Sequence, residues 1–120
     1  MLNTVYYWCI LKYGVKGTPP SFHVDDEFFY ITKSEKGRFL HEENKIVIKR
    51  DTITESIKTL IHEWQHYLQP KDQFETLYNL GYTKETHPFE VVAELIAERD
   101  WQECFHWTTL STNKQTKKGT

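Results

Sequence analysis

Thr52-Ile-Thr-Glu-Ser-Ile-Lys-Thr-Leu-Ile-His-Glu-Trp-Gln-His-Tyr-Leu-Gln-Pro70 is the stretch on which the reading of this 120-residue chain turns. Thr52 and Glu55 stand at the T-x-x-E spacing of a capping box, which starts a helix. Ile57, Leu60, Ile61, Trp64 and Leu68 recur at helical spacing and gather on one side. Pro70 ends the run, since it has no backbone N–H to continue the ladder. His62 and His66 fall on the other side, near Glu55 and Thr59, and Glu63 lies at the margin. One face therefore packs on a core, and the other turns both histidines toward a cleft or solvent.

Residues 62–66, His-Glu-Trp-Gln-His, match H-E-x-x-H. Histidines four apart on a helix sit one turn apart on one face. Two imidazoles so placed can hold one zinc ion at about 2.0–2.1 Å each. The glutamate between them lies where it can take a proton from a metal-activated water, which makes Glu63 the candidate general base. A catalytic zinc needs a third protein ligand and an open position. The pattern H-E-x-x-H-x-x-G-x-x-H is not met, because Gln69 and Asp72 occupy its Gly and third-His positions. Asp72 is one candidate carboxylate ligand, and it requires a sharp turn at Gln69-Pro70. Residues 87–98, His-Pro-Phe-Glu-Val-Val-Ala-Glu-Leu-Ile-Ala-Glu, are the better one. Pro88 is a favoured first helical residue, and neither Pro nor Gly interrupts the run to Phe105. Glu90, Ala93, Glu94, Ala97 and Trp101 share a face. Two alanines there allow the close helix approach that a carboxylate–zinc bond near 2.0–2.2 Å demands.

H-E-x-x-H followed by a second helix bearing E-x-x-A-[DEN] resembles the gluzincin zinc metallopeptidases over residues 37–101. The similarity is greatest to the small single-domain minigluzincins, and the E-x-x-A pattern also resembles the M48 and ImmA/IrrE-type peptidases. The resemblance implies that Glu90 is the third zinc ligand and that Glu94 supports the site by orienting a ligand histidine. It also implies a minimal zincin-like α+β domain: a small mixed sheet packed on the H-E-x-x-H helix and the Glu-bearing helix. In such folds one edge strand runs above the metal and pairs with an extended peptide; by position this is Arg38, Phe39, Leu40, His41 and Glu42.

The rest of the chain is consistent with one domain. Leu2 to Tyr13 reads as an amphipathic helix stopped by Gly14. Residues 14–21, with Gly17, Pro19 and Pro20, form a loop. Phe22–Val24 and Glu27–Thr32 have strand character. Gly37–Glu42 and Lys45–Lys49 form a hairpin through Glu43-Asn44. The latter strand is apolar on both faces and therefore central. Asp72–Leu80 is a short helix ended by Gly81, and a loop leads to His87. The domain spans residues 1–106, and residues 107–120 form a polar, flexible tail.

Composition excludes several classes. The formal charge is −2 with acids and bases interspersed, so no basic face for nucleic acid is expected. No signal peptide or membrane span is evident. Cys9 and Cys104 have no metal spacing and read as buried thiols of a cytoplasmic protein. The expected activity is that of a zinc-dependent endopeptidase with one zinc ion and a peptide or protein substrate. A non-catalytic zinc-binding regulatory or interaction module is the alternative. A further donor must stabilise the tetrahedral oxyanion, and Tyr78, Tyr82, His87 and His41 are the candidates.

Overall fold

The computed structural model describes residues 1–32 and 34–118, with side chains through Leu110. The protein is a small α+β domain. Helix α1 (Leu2–Tyr13) leads to strand β1 (Ser21–Val24), then β2 (Gly37–Leu40) and β3 (Lys45–Ile48). Helices α2 (Ile53–Leu68), α3 (Lys71–Asn79) and α4 (Pro88–Lys118) follow. The sheet order is β1-β3-β2. β1 runs parallel to β3, with Phe22 beside Ile46, and β2 runs antiparallel to it, with Gly37 opposite Ile48. The expected central strand is thus central. Ile46 and Ile48 enter the core, while Val47, on the opposite pleat, is buried as well.

Helix α2 forms as its sequence dictates. Thr52 Oγ1 accepts the Glu55 N–H at 3.3 Å. The reciprocal arm of the box is absent: Thr52 N–H donates to Asp51 Oδ1, and the Glu55 carboxylate pairs with Lys36. Ile57, Leu60, Ile61 and Trp64 are fully buried. Burial of each such side chain contributes about 1.5–3 kcal/mol. They pack with Val5, Trp8 and Cys9 of α1 and with Ala97 and Cys104 of α4. Trp64 Nε1 donates to Gly14 O at 3.1 Å, and Tyr67 Oη donates to Thr18 O at 2.9 Å, so the loop after α1 is pinned to α2.

Three expectations differ from the structure. Glu27–Thr32 is not a strand but contains a 3-10 turn at Glu27–Phe29. Asp25 Oδ1 accepts the N–H groups of Glu27 and Phe28, and Asp26 Oδ1 accepts that of Arg50. These side-chain bonds compete with a ladder and turn the chain. The edge strand ends at Leu40, so His41 and Glu42 lie in the turn, closed by Asn44 N–H to His41 O at 3.3 Å. Asn44 takes a left-handed φ of 48° there, a conformation asparagine tolerates. Finally, the helix does not stop before residue 107. α4 continues to Lys118, Thr108 is buried, and Trp107 packs against the core. No Pro or Gly interrupts residues 107–118, so polar composition alone does not end the helix. Thr120 and Gly119 lie outside the described residues. Among the described residues, no helix is long and apolar enough to cross a membrane.

Candidate metal centre

α2 and α4 pack antiparallel, as cross-helix contacts show: Lys58 pairs with Glu98, His62 with Glu94, and Gln69 with Phe89. Ala93 and Ala97 are both buried in this seam and let the helices close up. Each helix then delivers its ligands to one point. His62 Nε2 lies 3.1 Å from His66 Nε2. Glu90 Oε1 lies 3.1 Å from the first and 2.5 Å from the second. His66 and Glu90 are buried, and the His62 side chain is 12% exposed.

The donor set fits a metal ion. Ligand atoms about 2.0–2.1 Å from a tetrahedral ion lie about 3.3 Å apart. Two of the three observed separations, at 3.1 Å, lie just inside that spacing, and the Glu90–His66 pair, at 2.5 Å, has to open by a fraction of an ångström to admit an ion. The orienting bonds favour it too. His62 Nδ1 faces Glu94 Oε2 at 3.1 Å, and His66 Nδ1 faces Gln69 Oε1 at 2.7 Å. Each oxygen can accept a ring N–H, so with an ion bound each neutral imidazole would keep its proton on Nδ1 and turn the Nε2 lone pair to the metal. Gln69 Nε2 donates in turn to Phe89 O at 3.1 Å, tying the end of α2 to the start of α4. Two imidazoles and one carboxylate can therefore hold a metal ion here. Asp72 cannot be the third ligand in this arrangement: it is exposed in the first turn of α3, outside the cluster.

The electrostatics follow from burial and mutual contact. Burial works against the Glu90 carboxylate, but hydrogen bonds from His62 and His66 outweigh it and hold the group well below the usual carboxylate range. Burial likewise opposes protonation of His66, yet the Glu90 hydrogen bond raises its pKa. Glu63, adjacent in sequence and buried, makes no contact in the ligand group. Burial pushes its carboxyl pKa up, and the nearby His66 and His62 only moderate this. Burial thus shifts this carboxyl toward greater basicity, the direction in which a general base is tuned.

Of the four oxyanion candidates, Tyr78 alone touches the cluster. Its hydroxyl donates to Glu90 Oε2, and burial followed by that bond pushes its pKa up. His87 is excluded. Its Nδ1 accepts the Phe89 N–H at 3.0 Å and its Nε2 donates to Phe74 O at 2.9 Å. It is fully buried and caps the N-terminus of α4 just before Pro88. His41 packs on Phe39 and Phe74 and lines a separate cleft, so it is not at the centre. Tyr82 is exposed on the loop after α3, outside both cavities at the cluster.

Those two cavities meet at His62. One, of about 330 Å3, lies between β2, α2 and α4 and includes Gly37, Thr59 and Glu63. The other, of about 610 Å3, runs along α4 past Glu90, Val91 and Leu95. β2 approaches α2 so closely that a Cβ on Gly37 would stand 2.5 Å from Thr59 Cγ2 and 3.3 Å from Glu63 Cγ. A Cβ there would force Thr59 to shift, and the strand runs directly beside Glu63.

Sequence reasoning missed Gln69 and Phe74. Gln69 sits three residues after His66, a spacing that brings side chains together on a helix, and that was the available signal. Phe74, whose ring centroid is 5.0 Å from that of His66, had none. No protein-family model matches the chain, and no curated protein sequence or solved structure matches it significantly.

Proposed function

We propose that His62, His66 and Glu90 hold one zinc ion and that the protein is a gluzincin-type metallopeptidase, cleaving a peptide bond with Glu63 as general base. The observation that carries this reading is the convergence of Glu90 on both Nε2 atoms, with a buried carboxyl of raised pKa beside them. Two nitrogens, one carboxylate oxygen and a cleft on the fourth side suit a catalytic zinc rather than a closed structural site. Zinc, when bound, acidifies a water and polarises the substrate carbonyl.

The chain's own residues supply the rest. Glu63 accepts the proton of the attacking water and returns it to the departing amide nitrogen. Glu94 and Gln69 hold the two imidazoles with Nε2 inward. Tyr78 anchors Glu90 with its one hydroxyl proton and would have to turn from that carboxylate to serve a developing oxyanion. β2 offers its outer edge to an extended peptide, since its other edge is taken by β3. A non-catalytic zinc module would have no use for a buried base beside the metal, which favours the enzyme.

The test is Glu63→Gln. It should keep stoichiometric zinc and the fold, and lower hydrolysis of a proteome-derived peptide library by about 10²–10⁴-fold. Hydrolysis by wild type that is no faster than by Glu63→Gln, at full zinc occupancy, would refute catalysis. Purified protein whose metal content shows no zinc would refute the zinc site.

A further inference from the structure

The charged groups around the two cavities are largely spoken for. Lys36 pairs with Glu55 at 3.1 Å and Lys58 with Glu98 at 3.3 Å. Glu94 faces His62, and Glu90 is held by both histidines and Tyr78. Lys84 is different. It lines both cavities and is exposed, and among the described residues no carboxylate lies within ion-pair distance of it.

Nor is Lys84 on a slack loop. Thr83 N–H donates to Thr86 Oγ1 at 2.8 Å, and Thr86 N–H donates back to Thr83 O at 3.1 Å. His87 N–H donates to the same carbonyl at 2.7 Å, and the buried His87 ring anchors the turn to α3 and α4. Lys84 and Glu85 form the tip of this closed turn. Glu85 lines only the larger cavity. In the smaller one, next to Glu63 and the edge of β2, Lys84 makes no ion pair among the described residues, although its charge is felt by the Glu63 carboxyl. The ordered turn fixes where the Lys84 stem starts, so less backbone freedom is lost when its ammonium binds an anion.

We infer that Lys84 determines substrate specificity by receiving a carboxylate of the bound peptide, so that the protein selects acidic substrates. This rests on the peptidase reading above. The carboxylate could be an acidic side chain or the peptide C-terminus, which share the same chemistry; the experiment separates them.

Zinc-loaded Glu63→Gln protein is titrated with dye-labelled peptides of random sequence in which one fixed position is Glu, Gln or Lys. Each set carries an amidated or a free C-terminus. The Glu set, or the free-acid set, should bind about two- to fivefold tighter than its neutral twin, as for a partly exposed charge pair. Whichever set does so identifies the source. Adding Lys84→Met should abolish that preference while zinc content and melting temperature hold, and adding Lys84→Glu should turn the preference toward the Lys set. Peptide binding that is indifferent to charge, or a preference that survives Lys84→Met, overturns the assignment while leaving the peptidase reading intact. Failure of zinc-loaded wild type to cleave, and of Glu63→Gln to bind, any peptide overturns both.

Discussion

Gly37→Ala is a one-carbon change that probes how tightly the sheet is drawn onto α2. The added Cβ would meet Thr59 Cγ2 at 2.5 Å, Glu63 Cγ at 3.3 Å and Ile48 Cγ2 at 3.4 Å. Carbon atoms at rest stand about 3.5–4.0 Å apart, so Thr59 must yield by about 1 Å and Glu63 by a few tenths. Overpacking of this kind costs about 1–3 kcal/mol. Thr59→Ala removes the nearest obstacle. In that background Gly37→Ala should be close to neutral, helped by the lower entropy of an unfolded chain with one glycine fewer. The coupling in the double-mutant cycle should therefore be at least about 1 kcal/mol, well beyond the few tenths expected of independent sites. Urea unfolding of the four zinc-free proteins, with midpoints and slopes fitted together, measures it. Zinc affinity of Gly37→Ala should change little, because Glu63 is not a ligand, whereas turnover should fall as the base is displaced. A coupling near zero, with Gly37→Ala tolerated in both backgrounds, would mean that β2 does not press on Thr59 and Glu63. The placement of the strand beside the base would then be wrong.

The remaining expectations concern ligands and pH. Glu90→Gln should weaken zinc binding strongly and Asp72→Asn scarcely at all, with Glu94→Gln and Gln69→Ala losing about ten- to a hundredfold; competition with a chromogenic chelator reads all four. In metal-free protein the raised pKa of His66 stabilises the fold at acid pH, and the burial that raises Glu63 costs stability once that carboxyl ionises. The His66 contribution is complete below its unfolded value of 6.5 and is lost as pH climbs through the higher folded one. The depressed Glu90 works the other way: its contribution is present above 4.5 and is lost as pH falls below that. Melting temperature without zinc should thus peak between those pH values and decline toward pH 8. With zinc the histidine trend should reverse, because both imidazoles must be neutral to bind, and affinity should collapse below about pH 6. Parallel apo and holo melting curves would contradict a two-histidine site.

How far the sequence spoke depends on how local each cause is. The span of α2, its buried face and its histidine face follow from periodicity, one cap and one proline, all within a few residues. The centrality of β3 follows from its uninterrupted apolar run, which has to be covered on both sides. The pairing of Glu90 with the two histidines could be anticipated from two motifs and the alanines between the helices, because close approach depends on small side chains. Other features depended on partners distant in the chain. Glu27–Phe29 has strand composition, but Asp25 and Asp26 turn it, and one of them does so by accepting Arg50 N–H across the fold. His87 carries a chemistry-bearing ring that the fold spends on capping α4 and holding Phe74 O. Residues 107–118 are polar enough to fray, yet Trp107 and Thr108 at their start are held at the core and α4 runs on to Lys118. Local hydrogen bonding and side-chain periodicity are written in neighbouring residues, so the sequence by itself determines α2, the central strand and the residue types that could serve as ligands. Which polar side chain meets which is settled only when elements far apart pack together, and burial then decides whether a histidine joins the cluster with Glu90, caps a helix or fills a corner.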